Sequence, residues 1–177
     1  QMRTSEKKWM NLMKKLSLNL FNFAIIILFT FSFAYSSETS IAKEKARIID
    51  GDTIEIKDEK IRFGGIDAPE KKDICYLNEK KVFCGKLSTE KLREKIGNST
   101  VACVREKNKD RYGRTVAECF VNEESLSSFM VKIGYACDYV RYSKGKYAKE
   151  QEYAKANKLG VWKMKYKLSW ENKCKKK

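Results

Sequence analysis

The 177-residue chain has no histidine and only one proline, Pro69. Without histidine, the protein cannot use a Ser-His or Cys-His nucleophile, a histidine general base or a histidine-ligated metal. Any acid–base chemistry therefore depends on carboxylate, lysine, tyrosine or cysteine side chains. Acidic residues are also in the minority, since 23 Asp and Glu stand against 38 Lys and Arg, for a formal net charge of +15. This excess favours polyanionic partners, either nucleic acid or an anionic membrane surface.

The sequence is long enough and apolar enough for one folded domain. Apolar residues make up 42% of the chain, which excludes disorder throughout. A length of 177 residues favours a single domain, with two as the alternative. Residues 1–36 carry a net charge of +4, which leaves +11 on the remainder, so the basic character belongs to the folded part. The simplest alternative for that charge is a lysine-rich surface that only keeps the protein soluble.

A 22-residue run without charge occupies residues 16–37. Lys14 and Lys15 precede it, and a small-residue site, Ala34-Tyr35-Ser36, lies near its end. A basic region, an apolar core and such a site are typical of a secretory signal peptide, and we expect cleavage after Ser36. The alternative is an uncleaved membrane anchor, because a run of this length can span a bilayer. In both cases we expect export, to give a secreted or periplasmic protein, or one anchored through its N-terminal segment.

These features divide the chain into three parts. Residues 1–36 are the signal peptide or anchor, residues 41–163 the folded domain, and residues 164–177 a lysine-rich C-terminal tail. Because Met13-Lys14-Lys15 would be an ordinary start for a signal peptide, we expect residues 1–12 to be upstream sequence.

All six cysteines follow the uncharged run. An even number in an exported domain predicts disulfides, and the lack of both C-x-x-C and histidine argues against zinc. Cys103 and Cys119 are equidistant from Arg111, so a turn at residues 110–113 would place their sulfur atoms opposite each other on two antiparallel strands. Of the others, Cys75 and Cys84 would close a short loop, and elimination leaves Cys137 with Cys174. The alternative is that some cysteines are simply buried apolar residues.

Alternating and helical patterns predict eight elements. Three β-prone runs, a helix, two more β-prone runs and two helices follow one another, at residues 46–49, 53–57, 61–66, 85–96, 100–105, 115–121, 126–133 and 146–159. Residues 71–84 are predicted to form a loop. Five short strands with intervening helices can close into a small OB-type barrel, an α+β fold that is mainly β. An open α+β sheet is the alternative, and the pattern alone does not separate the two.

Charged residues stand at predicted strands and turns, at Asp52, Arg62, Asp67, Glu70 and Arg114. Three carboxylates can hold a hard divalent cation through oxygen, and two arginines can clamp phosphate oxygens by paired hydrogen bonds. A carboxylate that is not bound to the metal can act as a general base toward water. These are the groups that phosphodiester hydrolysis needs. Each residue alone is more commonly a turn former, a cap or a solvated charge, so spacing by itself supports a phosphate site only weakly.

Three segments carry a resemblance to the staphylococcal nuclease (thermonuclease) family. They are residues 49–54 (Ile-Asp-Gly-Asp-Thr-Ile), residues 61–70 (Ile-Arg-Phe-Gly-Gly-Ile-Asp-Ala-Pro-Glu) and residues 110–114 (Asp-Arg-Tyr-Gly-Arg). The resemblance extends over residues 46–162 and is specific, because the three segments occur in the same order. It implies a five-stranded OB-fold barrel with three helices. It also implies a monomeric, Ca²⁺-dependent nuclease that acts on DNA and RNA, with single-stranded or denatured substrates preferred.

The resemblance assigns a role to each acidic position. Asp52 and Asp67 match the calcium-binding carboxylates, and Ala68 stands where the family binds the metal through a main-chain carbonyl. Glu70 matches the general base that activates water. Asp50 would support the metal site from behind the ligands.

The substrate contacts are implied in the same way. Arg62 and Arg114 match the two arginines that bind the scissile phosphate, and with Glu70 they form the implied catalytic set. Tyr142 resembles a tyrosine that lines the nucleotide pocket, and Arg111 and Tyr112 belong to the third motif and are assigned to substrate binding. Residues 137–141 depart from the best-known member.

Two other functions remain open at this point. One is a non-catalytic OB-type module that binds nucleic acid or a protein partner. The other is an envelope protein whose basic surface binds anionic lipid, which requires an uncleaved N-terminal anchor. The five intact side chains of the implied site favour the nuclease.

Overall fold

The computed structural model describes residues 43–166, together with the isolated Met13. The chain divides into two units, Gln1–Glu38 and Thr39–Lys177, and the fold described below belongs to the second. The predicted signal peptide or anchor (apart from Met13), most of the lysine-rich tail and Cys174 lie outside the described residues. Within the described part, no helix is both long and apolar enough to span a membrane.

The described residues form twelve strands, four α-helices and one 3₁₀ helix. The strands are β1 Lys43–Glu44, β2 Arg47–Ile48, β3 Thr53–Ile56, β4 Glu59–Phe63, β5 Ile66–Asp67, β6 Cys75–Leu77, β7 Lys80–Val82, β8 Val101–Lys109, β9 Thr115–Val121, β10 Glu124–Ser125, β11 Cys137–Asp138 and β12 Lys165–Tyr166. The helices are α1 Cys84–Ile96, α2 Leu126–Lys132, α3 Val140–Ser143, α4 Ala148–Ala156 and the 3₁₀ helix Gly160–Lys163.

The two outer strands of the main sheet, β1 and β2, are neighbours in the sequence. The strand order is β1-β8-β9-β4-β3-β2, with β10 beside β9, and only the pair β4–β9 is parallel. β1 pairs with β8 and β2 pairs with β3, although two residues separate β1 from β2. The first stretch of chain therefore completes the sheet on both sides, as in an OB barrel. This confirms the predicted OB-type fold and excludes the open-sheet alternative.

The core lies between the inner face of this sheet and the helices α1 and α2. Along β9 the burial alternates, so that Thr115, Ala117, Cys119 and Val121 are buried while the residues between them are only partly covered. This is the period of two that the sequence pattern predicts for a half-buried strand. The helices contribute one buried stripe each, which is Leu92 and Ile96 on α1 and Leu126 and Met130 on α2 among others.

The prediction of a loop at residues 71–84 is wrong, because this segment contains the hairpin β6–β7. Its two-residue turn is Asn78-Glu79, and both residues have positive φ, at 50° and 62°. Two-residue turns of this kind match the twist of the strands that they join. The usual sequence signal for such a turn is a glycine at the second position, which is absent here.

Two of the predicted disulfides are confirmed. Cys75 is bonded to Cys84, which closes the β6–β7 hairpin, and Cys103 is bonded to Cys119 across β8 and β9. Cys103 and Cys119 are direct partners in the strand register, as the symmetry about the turn predicts. Cys137 is also disulfide-bonded. Its predicted partner lies outside the described residues, so the third pair stays a prediction.

Peptide mapping without reductant is expected to recover both linked pairs from the purified protein, and iodoacetamide is expected to leave these four cysteines unlabelled. The Cys103–Cys119 bond spans a sequence separation of 16 residues. Opening it should lower the free energy of unfolding in urea by about 3 kcal/mol, because the unfolded chain regains entropy. Labelling of either pair in the denatured but unreduced protein would contradict the pairing.

Candidate active site

The turn before β3 places a buried carboxylate at the barrel wall. Asp52 is only 5% exposed. Its main-chain N–H donates to Asp50 Oδ1 at 3.1 Å, and its Oδ1 accepts the Thr53 hydroxyl at 3.1 Å. Its other oxygen, Oδ2, accepts the main-chain N–H of Ala68 at 2.7 Å. The turn is thereby fixed to the segment that follows β5.

Arg62 connects the acidic residues of the two segments. Its side chain is 15% exposed, and its Nη1 forms an ion pair with Asp52 Oδ2. Its Nη2 donates to Asp67 Oδ1 at 3.0 Å and to the carbonyl of Ile66 at 3.0 Å. Burial acts to lower the pKa of Arg62, but the charges of Asp52 and Asp67 more than offset it, so the pKa is raised. The guanidinium therefore remains charged and is held in one orientation.

Negative charge exceeds positive charge in this cluster. Burial, followed by the charge of Asp52, raises the pKa of Asp50 to about 7. Asp52 and Asp67 both contact Arg62, and Asp50 lies beside Asp52, so three carboxylates are grouped around one guanidinium. A divalent cation would offset this excess, and two carboxylates with the Ala68 carbonyl are hard oxygen donors that suit Ca²⁺. The residues present therefore fit a calcium ion.

A cluster of three metal-binding carboxylates is not formed. Among residues 43–166, no three Asp, Glu or Cys side chains are grouped as a metal site would need. The structure thus does not support the expectation from spacing that three carboxylates share one cation. It leaves the ligand set implied by the family, which needs only Asp52, Asp67 and a main-chain carbonyl.

Glu70 has a fixed main chain and an exposed side chain. Its N–H donates to Asp73 Oδ2 at 2.8 Å, and its carbonyl accepts the N–H of Asp73 at 2.7 Å. The beginning of α1 packs against this carbonyl so closely that a Cβ on Gly85 would lie 1.7 Å from it. The Glu70 carboxylate forms no hydrogen bond or ion pair with the part of the chain described here, so it is available to act on a water molecule.

Arg114 is held by the turn that it ends. Its Nε donates to Asp110 Oδ2 at 2.7 Å, and its main-chain N–H donates to Asp110 Oδ1 at 2.9 Å. Burial acts to raise the pKa of Asp110, but the hydrogen bonds from Arg114 and Tyr112 hold it below its usual value. Asp110 therefore orients Arg114, a role that the sequence analysis missed because it treated this aspartate only as part of a turn.

The strand register brings Arg114 near the β4–β9 pair. Arg62 of β4 is paired in parallel with Val116 of β9. Arg114 directly precedes β9 and lies two residues before Val116. The described contacts do not join Arg114 directly to Asp52, Arg62 or Asp67.

The predicted substrate-binding residues are on the surface. Tyr112 is 69% exposed, and the guanidinium carbons of Arg111 and Arg114 lie 5.0 and 5.4 Å from its ring centroid. Tyr142, on α3, is 64% exposed and packs edge-on against Tyr139 at 5.0 Å. The described contacts connect Tyr142 to the acidic cluster only indirectly, since the N–H of Tyr139 donates to the carbonyl of Gly65, which precedes β5.

The family model described as Staphylococcal nuclease homologue matches residues 60–164, which is more than half of the chain. The chain belongs to this family. The matched range includes Arg62, Asp67, Glu70 and Arg114. Asp52 lies before it, and its place in the site is given by its contacts with Arg62 and Ala68.

Relatives with different names are similar in sequence to this chain. The chain is 36% identical over 121 residues to the succinoglycan biosynthesis protein ExoI of Rhizobium meliloti, covering 67% of this chain and 63% of that protein. It is 32% identical over 145 residues to an uncharacterized endonuclease of Haemophilus influenzae, covering 78% and 75%. It is 30% identical over 125 residues to the thermonuclease of Staphylococcus intermedius, covering 66% and 73%. Family membership and the nuclease-named relatives support a nuclease.

Replacing Arg62 by alanine is expected to lower the free energy of unfolding by about 3 kcal/mol, because two buried carboxylates lose their counter-charge. Arg47→Ala is a matched control, since Arg47 also pairs with a carboxylate, Glu55, but its side chain is 66% exposed. The control should lower the free energy of unfolding by less than about 1 kcal/mol. Urea denaturation measures both, and equal losses would contradict the bridging role of Arg62.

Proposed function

We propose that the protein is a Ca²⁺-dependent nuclease that hydrolyses phosphodiester bonds in DNA and RNA. The observation that supports this most directly is the arrangement of Asp52, Arg62 and Asp67 in one hydrogen-bonded cluster beside Ala68. A carboxylate pair with a fixed guanidinium is the chemistry that a phosphodiester and a divalent cation require.

Asp52, Asp67 and the Ala68 carbonyl are the residues that would hold the ion. Bound there, Ca²⁺ supplies positive charge to the phosphate oxygens as negative charge builds on them. The remaining steps belong to side chains of this protein.

The two arginines bind and orient the phosphate. Arg62 is fixed by Asp52 and Asp67, and Arg114 is fixed by Asp110, so neither guanidinium has to be ordered when substrate binds. Guanidinium groups form paired, charge-assisted hydrogen bonds with phosphate oxygens. Electrostatic stabilisation of the pentacoordinate state is their contribution to the rate.

Glu70 is the proposed general base. Its carboxylate is exposed and makes no bond with the described residues, and its main chain is fixed by Asp73 and by the close approach of Gly85. It takes a proton from the attacking water. A fixed main chain with an uncommitted carboxylate is the arrangement that this step needs.

The exposed aromatic residues favour substrates with accessible bases. Tyr112 and Tyr142 present their rings to solvent with arginines beside them, and nucleobases of single strands stack on such rings. The net charge supports binding to any phosphate backbone. We therefore propose that single-stranded or denatured DNA and RNA are preferred, and that the enzyme acts as a monomer.

Export is part of the proposal. Disulfides persist in oxidising compartments, and Cys75–Cys84 and Cys103–Cys119 support a secreted or periplasmic location. Attachment to a membrane through the N-terminal segment is the variant of this proposal that applies if that segment is retained.

A non-catalytic module is the second candidate. The relative named for succinoglycan biosynthesis favours it, because its name does not refer to a nuclease. Such a module would bind nucleic acid or a protein partner with the same fold and without turnover. An assay of DNA hydrolysis distinguishes the two candidate functions.

Purified protein is expected to degrade denatured DNA when Ca²⁺ is added and to stop when the ion is chelated. Ca²⁺ should also raise the thermal unfolding midpoint, because it binds the folded state. The assay follows the release of acid-soluble nucleotides, with heat-inactivated protein as the control. Binding to DNA without hydrolysis in the presence of Ca²⁺ would support the non-catalytic module instead.

Glu70→Gln is expected to lower the hydrolysis rate about 100-fold or more through loss of the base, and Arg114→Ala by about 100-fold through loss of a phosphate contact. Glu90→Gln is the control, because Glu90 is an exposed acid on α1 whose partner is Arg93. Near-normal rates for both variants, with folding verified by circular dichroism, would refute these assignments.

A further inference from the structure

An exposed phenylalanine with two lysines lies beside the candidate active site. Phe83 connects β7 to α1 and is 43% exposed. The ammonium nitrogens of Lys81 and Lys86 lie 5.5 and 4.8 Å from the centroid of its ring. The ring is not part of either buried cluster of apolar residues. The ring is therefore partly exposed to solvent and has two ammonium groups close to it.

The main chain around Phe83 is fixed. The next residue, Cys84, is fully buried and bonded to Cys75. The residue before it, Val82, is paired with Cys75 in the β6–β7 hairpin. The Phe83 carbonyl accepts the N–H of Leu87 at 3.1 Å in the first turn of α1. The main chain that carries the ring is thus set before any ligand arrives, which reduces the entropy lost on binding.

Close packing attaches this position to the catalytic segments. Gly85, two residues after Phe83, lies against the carbonyl of Glu70. Ser88, one turn further along α1, fills the space where a Cβ on Gly51 would lie, 1.9 Å from its hydroxyl oxygen. The first turns of α1 therefore touch both Glu70 and the turn that carries Asp52. Phe83, two residues before Gly85, therefore lies next to the part of α1 that contacts the candidate active site.

The surrounding charge suits a phosphate backbone. Exposed lysines precede the hairpin, occupy its outer strand and begin α1, at Lys71, Lys72, Lys80, Lys81 and Lys86. The acid at the hairpin tip, Glu79, is already paired with Lys165 at 2.6 Å. β7 is an outer strand of the sheet β12-β6-β7, so no described strand pairs with its outer edge. Aromatic rings with nearby cations are the usual platform for single-stranded nucleic acid, because every base offers a face for stacking.

We infer that Phe83, with Lys81 and Lys86, is a stacking platform for a base of single-stranded nucleic acid that extends from the active site. The inference rests on the proposed nuclease function and adds a specificity-determining contact to it. The ring stacks on a base one or more nucleotides from the scissile phosphate, while the lysines contact the adjoining phosphates. A duplex keeps its base faces stacked internally, so the platform selects single strands.

Fluorescence anisotropy with a labelled twelve-nucleotide oligothymidylate, measured in EDTA to prevent turnover, tests this contact. Phe83→Ala is expected to weaken binding about 10-fold, and Phe83→Trp is expected to restore it. Tyr153→Ala is the matched control, because Tyr153 is 51% exposed and has Lys132 Nζ at 5.9 Å but lies on α4. The control should bind like the unaltered protein.

Two further readouts separate stacking from charge. Lys81→Gln with Lys86→Gln should reduce the slope of log Kd against log salt by about 1.4, because two phosphate contacts are lost from a single strand. A duplex of the same length should bind the unaltered protein and Phe83→Ala equally. The urea midpoint of Phe83→Ala reports on folding, which an exposed side chain should leave nearly unchanged.

Equal affinity of the unaltered protein and Phe83→Ala for the single strand would overturn the inference, as would equal losses for single strand and duplex. In that event the lysines serve only to protect the outer strand of the hairpin from pairing with other chains. The proposed nuclease function is tested separately, by hydrolysis of denatured DNA by the unaltered protein. Binding through Phe83 without hydrolysis would support the stacking platform and contradict the nuclease function.

Discussion

The ion pairs of Arg62 with Asp52 and Asp67 are the contacts on which the candidate site depends. Asp52 ends the turn before β3 and Asp67 ends β5, so the guanidinium joins these two segments in addition to the bond from the Ala68 N–H to Asp52. Both carboxylates are buried, and two such charges close together require a counter-charge. The same residues that stabilise the fold locally are therefore those that would meet the metal and the phosphate. Structural and chemical roles cannot be separated at these positions.

Helix α1 gives this cluster its rigid support. Gly51 and Gly85 allow the helix to approach the turn and the Glu70 segment more closely than any residue with a Cβ would permit. The hydroxyl of Ser88 donates to the carbonyl of Tyr135 at 2.8 Å, which attaches the helix to the region after α2. The candidate base and the candidate metal ligands are thus positioned by one helix. Small residues at the contact are what make that arrangement possible.

Sequence patterns predicted the local elements better than their connections. The alternation along β9 corresponds to the observed burial. On α2 the helical spacing agrees for Leu126 and Met130, which are buried, while Phe129 and Ile133 are partly buried. Barrel closure was not decided by pattern, because β1 is too short to be recognised and pairs with β8, more than 50 residues further along the chain. The hairpin β6–β7 was missed because its turn lacks the expected glycine. Short strands and turns depend on tertiary pairing, which a local pattern does not contain.

The same limit applies to the candidate site: the sequence indicated which residues form it but not all of their contacts. The residue types and the family resemblance pointed to Asp52, Arg62 and Asp67, and these three are in contact. The role of Asp110 escaped sequence analysis, because an aspartate at a turn looks the same whether or not it holds a neighbouring guanidinium. Phe83 gave no signal either, since only the structure shows that it is exposed and adjacent to lysines. Orientation and exposure are properties of the folded chain.

The parallel pairing of β4 with β9 determines when the two arginines come together during folding. Arg62 and Arg114 come from distant parts of the sequence, and the pairing of these two strands brings Arg62 next to the start of β9, which Arg114 precedes. Such non-local pairing must first overcome the entropy of closing the intervening loop. Until β4 and β9 are joined, the chain therefore does not bring Arg62 and Arg114 together, and a partly folded chain lacks the proposed phosphate site.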